Sequence, residues 1–149
     1  MYYLIINDEL NEWGDYKFND NCKEYPNITM EEYNDEPYRL ILIDGELVTN
    51  PDYEEEKARR EAERISHLRC TKRVLALILE QLDIPYSRLK ALIDSNERAQ
   101  LEWDLCVELE RSNPLINIIG AELGLSSVDI DNIFKYANGE INTIQKEGE

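Results

Sequence analysis

One histidine, three cysteines and thirty-two carboxylates are the side chains from which this chain of 149 residues could build chemistry. Acyl transfer or general-base catalysis needs a nucleophile and a tunable base that face each other. The only histidine, His67, follows Ser66 in a charged segment that reads as helix. Adjacent helical residues diverge by about 100° and do not meet, so His67 reads as a surface or interfacial side chain. Cys22, Cys70 and Cys106 are odd in number, widely spaced and without a CxxC pair. That argues against a disulfide framework or a zinc site; the three read as reduced thiols, with Cys106 packed on a helix face. The pairs Glu31-Glu32 and Asp35-Glu36 could attract calcium or magnesium, but they have neither EF-hand spacing nor a glycine-bearing loop to organise them. No glycine-rich phosphate loop is present. The sequence therefore offers no catalytic residue, no metal ligand set and no cofactor motif, and a non-enzymatic protein is expected.

What the chain does offer is charge. The formal net charge is −16, and it is concentrated: residues 1–56 hold sixteen acids against Lys17, Lys23 and Arg39, a local charge of −13, whereas the other 93 residues hold sixteen acids against thirteen bases. Such a surface repels a free polyanion and draws in a basic one. Direct nucleic-acid binding is thus disfavoured, and a protein partner with a basic or mixed surface is expected. The same segment holds seven of the nine tyrosines, together with Trp13 and Phe18. Tyrosine and tryptophan combine a large apolar face with a polar tip, as interface hot spots require, and they also build small cores. The candidate protein-binding residues are Glu31, Glu32, Asp35 and Glu36 with Tyr33, Tyr25, Trp13 and Tyr16.

A third feature is the run Ile119-Gly120-Ala121-Glu122-Leu123-Gly124-Leu125-Ser126, followed by Ile130 and Ile133, which has helix-turn-helix spacing. A DNA-reading second helix would present basic and polar groups. Here the outward positions include Asp129, Asp131 and Asn132, with Lys135 alone positive, so the expectation is two packed helices joined by a glycine turn.

The elements that must position these residues follow from local signals. Tyr2–Ile6 is β-prone, and Tyr38–Ile43 leads through Asp44-Gly45 into Glu46–Thr49. Asp-Gly suits the positive backbone angles of a type I′ turn, which predicts a hairpin. Residues 10–37 show no sustained period and read as loop with a third short strand around Asp15–Phe18. Asn50-Pro51-Asp52 is a helix start, and the helix it opens is charged on nearly every face, with Glu55/Arg59 and Glu56/Arg60 at supporting spacing. Such a helix either bridges modules through solvent or self-associates. Thr71 caps a strongly apolar helix around Val74–Leu82, Pro85 starts another to Ile93, and Ser95 caps one to about Arg111. Asn113-Pro114 and Ser127 open the last two helices, which end at Gly124 and at Asn138-Gly139. The fold class is α+β, predominantly α: an acidic tyrosine-rich β module over 1–50, a charged connecting helix over 51–70, a compact helical bundle over 71–138 and a mobile tail over 139–149. No apolar run reaches the roughly 18 residues of a membrane span, and the first residues lack a signal peptide's positive flank.

The motifs Asn50-Pro51-Asp52-Tyr53, Thr71-Lys72-Arg73, Asn113-Pro114-Leu115-Ile116, Leu123-Gly124-Leu125 and Ile133-Phe134 resemble short proteins encoded in the tail and tail-fibre regions of bacterial prophages. The resemblance covers about residues 45–138. It implies a tail-associated accessory or assembly protein, located in the host cytoplasm or on the virion. The partner would be a tail or fibre protein, or a second copy. The phage setting also raises an alternative: an acidic inhibitor of a host nucleic-acid-handling defence, anti-CRISPR-like, whose partner would be a nuclease or CRISPR effector.

Overall fold

The computed structural model describes residues 1–148. It is mixed α+β and predominantly helical, with its strands in three small antiparallel groups. The chain divides into two compact units, Met1–Arg60 and Glu61–Glu149.

In the first unit, β1 (Tyr2–Ile6) turns through Asn7-Asp8 into β2 (Glu9–Gly14), which pairs antiparallel with it. Both turn residues have positive φ, 54° and 63°, the geometry of a two-residue type I′ hairpin. A bulge between Leu4 and Ile5 re-aims the strand, because Leu4 faces Glu12 while Ile5 faces Leu10. The two-residue β3 (Lys23–Glu24) pairs on the other side of β1. Next come α1 (Met30–Asp35) and a single 3₁₀ turn over Pro37–Arg39. The second hairpin, β4 (Leu40–Ile43) and β5 (Glu46–Thr49), closes on Asp44 and Gly45 at φ 49° and 72°, as the Asp-Gly signal predicted.

Residues 10–37 are therefore not the expected loop. They hold most of β2, β3 and α1, and there is no strand over Asp15–Phe18. These elements are short, so their apolar residues recur too few times to show a period. They are fixed instead by a shared core of Tyr3, Ile28, Tyr33, Leu40 and Leu47.

The boundary between the units falls inside α2 (Tyr53–Ser66). Asn50 Oδ1 accepts from Asp52 N at 3.0 Å and Asn50 O from Tyr53 N at 3.1 Å, so Asn50 organises the helix entry. Glu56 takes both guanidinia, Arg60 at 2.6 Å and Arg59 at 2.8 Å, so Arg59 reaches back three residues and not to Glu55 as its spacing suggested.

In the second unit the helix ends at Ser66 and the chain extends as β6 (Arg69–Thr71), after which Thr71 Oγ1 accepts from Val74 N to cap α3 (Lys72–Gln81). Pro85 precedes α4 (Tyr86–Asp94). Asn96, one residue past the expected cap, accepts from Ala99 N at 3.0 Å and opens α5 (Glu97–Leu105). The helix expected to reach Arg111 stops there, because Glu108–Glu110 forms β7 and pairs antiparallel with β6. The register sets Cys70 opposite Leu109, both buried, and Arg69 opposite Glu110 on the outward side. The last helices, α6 (Pro114–Leu123) and α7 (Ser127–Ala137), start where predicted, the first capped by Asn113 and the second by Ser126.

These elements surround one core in which Leu89, Leu109 and Phe134 are fully buried. Each such side chain contributes about 1.5–3 kcal/mol relative to exposure. Gly124, at φ 70°, ends α6, and Gly120 lies where an added Cβ would overlap the Ile130 side chain, so α6 and α7 meet at glycine contact. Residues 140–148, expected as a mobile tail, are tied down: Arg64 bridges Glu140 at 2.6 Å, Ile144 packs on the core, and Glu147 N donates to Asp129 Oδ1 at 2.7 Å.

Candidate protein-binding surface

The eight candidate residues of the first unit fall into different environments. α1 separates the acids by face. Glu31 and Asp35, one turn apart, are both exposed. Glu32 closes a capping box: its carboxylate accepts from Thr29 N at 2.8 Å while Thr29 Oγ1 accepts from Glu32 N at 3.1 Å. Those bonds to the Thr29 amide and hydroxyl hold the Glu32 carboxyl below its ordinary range.

Glu36 is the centre of a polar cluster. Its Oε2 accepts from the Tyr53 hydroxyl at 2.6 Å and from Arg39 at 3.0 Å, and Oε1 lies 3.2 Å from the Lys57 ammonium. The Tyr53 hydrogen bond above all, then Lys57 and Arg39, lowers its pKa against the opposing effect of burial. Tyr38 stacks on Tyr53 with centroids 5.7 Å apart, and the Arg60 guanidinium lies 4.3 Å over Tyr38. Arg39, Tyr38, Tyr53 and Lys57 are functional neighbours that the sequence reading did not assemble. The signal available was the series of i, i+3 and i, i+4 offsets linking Glu36 to Arg39 and Tyr53 to Lys57.

The aromatics divide too. Tyr33 is buried and its phenol is pushed up by that burial. Trp13 packs edge-on against it at 5.6 Å and donates from Nε1 to Asn34 Oδ1 at 2.8 Å, while one side of the indole stays exposed. Tyr25 is half-buried, with its hydroxyl 2.7 Å from Thr49 Oγ1. Tyr16 is 85% exposed, and Phe18 beside it is also exposed. The structure thus leaves Glu31, Asp35, Tyr16 and the outer side of Trp13 open to a partner. Glu32, Tyr33 and Tyr25 serve the frame, and Glu36 serves the polar cluster.

The balance of charge completes the site. Met1–Arg60 contains sixteen acids and six cations. All six lysines and arginines are ion-paired, and Asp20, Glu36, Glu46 and Glu56 are among the carboxylates that hold them. Because Glu36 and Glu56 each hold two cations, the other acids of the unit are left without a compensating lysine or arginine in these pairs.

Outside this unit, Glu110 Oε1 lies 2.9 Å from His67 Nδ1, and Oε2 accepts from Arg69 at 3.1 Å. The His67 contact first, then Ser112 and Arg69, lowers the Glu110 pKa. His67 lies just beyond α2 and is exposed. Cys106 stands at the end of α5 and packs, partly buried, against the core, while Cys70 is the buried thiol. No group of three His, Cys, Asp or Glu side chains among the described residues could hold a metal ion. No helix among them is long and apolar enough to cross a membrane. No family model matches the chain, nor does any curated protein or solved structure.

Proposed function

We propose that this chain is a non-enzymatic accessory protein that acts by protein–protein binding and presents its N-terminal unit to a basic or mixed protein surface. The observation behind this reading is that four of that unit's six lysines and arginines converge on two carboxylates, Glu36 and Glu56, away from Glu31, Asp35 and their neighbours, which form a negative surface on a packed frame. Opposed potentials accelerate encounter and suppress like-charged partners, and the exposed rings of Tyr16 and Trp13 add apolar anchors beside the charge. The resemblance over about residues 45–138 makes the setting a phage tail and the partner a tail or fibre protein.

A second reading, the acidic inhibitor of a nucleic-acid-handling enzyme, draws support from α1. Mimicry of a polyanion needs carboxylates at fixed spacing, and the capped, Tyr33-anchored helix holds Glu31 and Asp35 at about 6 Å, one turn apart.

Affinity capture from phage-induced cells at low salt and at about 0.5 M salt, where screening shortens electrostatic reach to a few ångströms, separates the two. Tail or fibre proteins retained at both salts support the first reading. A basic nuclease released by salt supports the second. Capture of no basic or mixed-surface protein at either salt would remove both.

A further inference from the structure

The second unit contains a groove of about 500 Å³ whose chemistry is opposite to that of the acidic surface. Its floor is one stripe of α3: Arg73, Ala76, Leu77 and Glu80 lie at i, i+3, i+4 and i+7. Tyr86, at the start of α4, and Trp103, on α5, supply aromatic walls. Leu77 and Tyr86 are 48% and 45% exposed, although each is large and apolar enough to be buried in a core. Lys72 Nζ donates to Trp103 O at 2.7 Å and lies 5.6 Å over the indole ring, so the ammonium is fixed at the groove. It has donors to spare, because an ammonium carries three and this bond uses one.

In this unit Arg64, Arg69, Lys90 and Arg111 are each held by a carboxylate, whereas Lys72 and Arg73, like Arg88, Arg98, Lys135 and Lys146, form no ion pair among the described residues. What sets Lys72 and Arg73 apart is that they stand side by side at one end of an apolar groove. They also stand in the first turn of α3, where the helix dipole disfavours positive charge. Lys72 is anchored on Trp103, yet neither cation is neutralised by a carboxylate, so both are placed to receive an incoming one. Glu80 lies about 10 Å along the helix from Arg73 at 1.5 Å per residue, so the groove is positive at one end, apolar in the middle and negative at the other.

We propose that this groove is a second binding site, for a peptide segment of a partner protein that presents a carboxylate beside a large apolar side chain. The carboxylate meets Lys72 and Arg73. The apolar side chain lies on Ala76 and Leu77 between Tyr86 and Trp103. Glu80 sets the direction, favouring a basic or neutral residue at the far end of the segment.

A displayed library of random peptides, selected against the full chain and counter-selected against the Arg73→Glu variant, tests this. Trp103 emission in a Trp13→Phe background reads binding of each recovered peptide at the groove. The expected result is enrichment of Asp or Glu next to Leu, Ile, Phe or Trp. Binding should weaken about tenfold or more in Arg73→Glu, as loss of one charge-assisted contact implies, and again in Tyr86→Ser on a separate helix, with melting temperatures of both variants unchanged. Glu31→Lys/Asp35→Lys should leave this binding intact, which separates the groove from the N-terminal surface. Recovery of no such motif, or peptides indifferent to both groove variants, would overturn the proposal. Wild-type dimerisation in sedimentation that Arg73→Glu and Tyr86→Ser abolish would overturn it as well, because the occupant would then be a second copy of the chain.

Discussion

Replacing Tyr3 by Phe tests whether the acidic unit is a frame or a loose arrangement of hairpins. The Tyr3 ring is 3% exposed, and its hydroxyl accepts from Leu47 N at 3.2 Å, joining β1 to β5. Leu47 needs that acceptor. Ile43 and Glu46 flank the two-residue turn as the hydrogen-bonded pair, so alternation makes Leu42 and Leu47 the non-bonded pair, with the Leu47 amide directed away from β4. In Tyr3→Phe the ring stays and the acceptor goes, leaving a buried donor unsatisfied at about 1–3 kcal/mol. For a unit of some sixty residues each kcal/mol shifts the midpoint by roughly 4–8 °C. The first unit should therefore melt at least about 4 °C lower. Trp13 emission in a Trp103→Phe background follows this unit, because Trp13 packs on Tyr33, and the exchange of the Leu47 amide should accelerate. Tyr2→Phe, on the opposite face of the same strand, is the control and should melt like the parent. A Tyr3→Phe protein melting within a degree of the parent, with Leu47 exchange unchanged, would refute the coupling.

Acid should loosen the first unit in a defined window. Glu32, Glu36 and Glu56 have folded-state pKa values below the ordinary 4.5, so the unfolded chain binds protons more readily; their contribution is present above about pH 4.5 and is lost as pH falls through the folded values. Urea midpoints measured from pH 6 to pH 3 should show this fall, and Glu36→Gln should make it shallower. Gly120→Val should destabilise the second unit by about 1–3 kcal/mol through overpacking against Ile130, read by chemical denaturation, and Gly120→Ala should cost less, because its single Cβ meets the end of the Ile130 side chain while helix propensity returns roughly 1 kcal/mol. Burial pushes the Cys70 thiol up to about 12, so alkylation of the folded protein at pH 8 should modify Cys22 and Cys106 and spare Cys70, as peptide mass mapping would record.

The parts of the fold legible in sequence were those with local causes. Asp44-Gly45 named its own hairpin turn, Asn113-Pro114 and Thr71 their helix starts, and Gly124 a helix end, because each signal is a backbone preference of one or two residues. The opposite case is β6 with β7. Three residues on each side, about forty positions apart, pair only because Cys70 and Leu109 share the core, and nothing in either segment alone announces a strand. The turn at Asn7-Asp8 was readable, since Asn and Asp tolerate left-handed backbone, but the bulge opposite Leu4 hid the alternation of β2. At the candidate surface, the local acidity was plain in the sequence. The division of labour was not: Glu31 and Asp35 differ from Glu32 and Glu36 only in the face they take on α1 and in the distant partners Tyr53 and Lys57.

That division decides the most direct measurement. Glu31→Lys/Asp35→Lys reverses two exposed charges without touching the Thr29 capping box or the Glu36 cluster, and Glu97→Lys/Glu102→Lys makes the same change of charge in the second unit. Affinity for the basic protein captured from cells, titrated by calorimetry against the parent and both variants, should fall at least about tenfold for the first pair and little for the second. Equal loss from both pairs would reduce the effect to overall charge, and no loss from Glu31→Lys/Asp35→Lys would contradict binding through the N-terminal carboxylate surface.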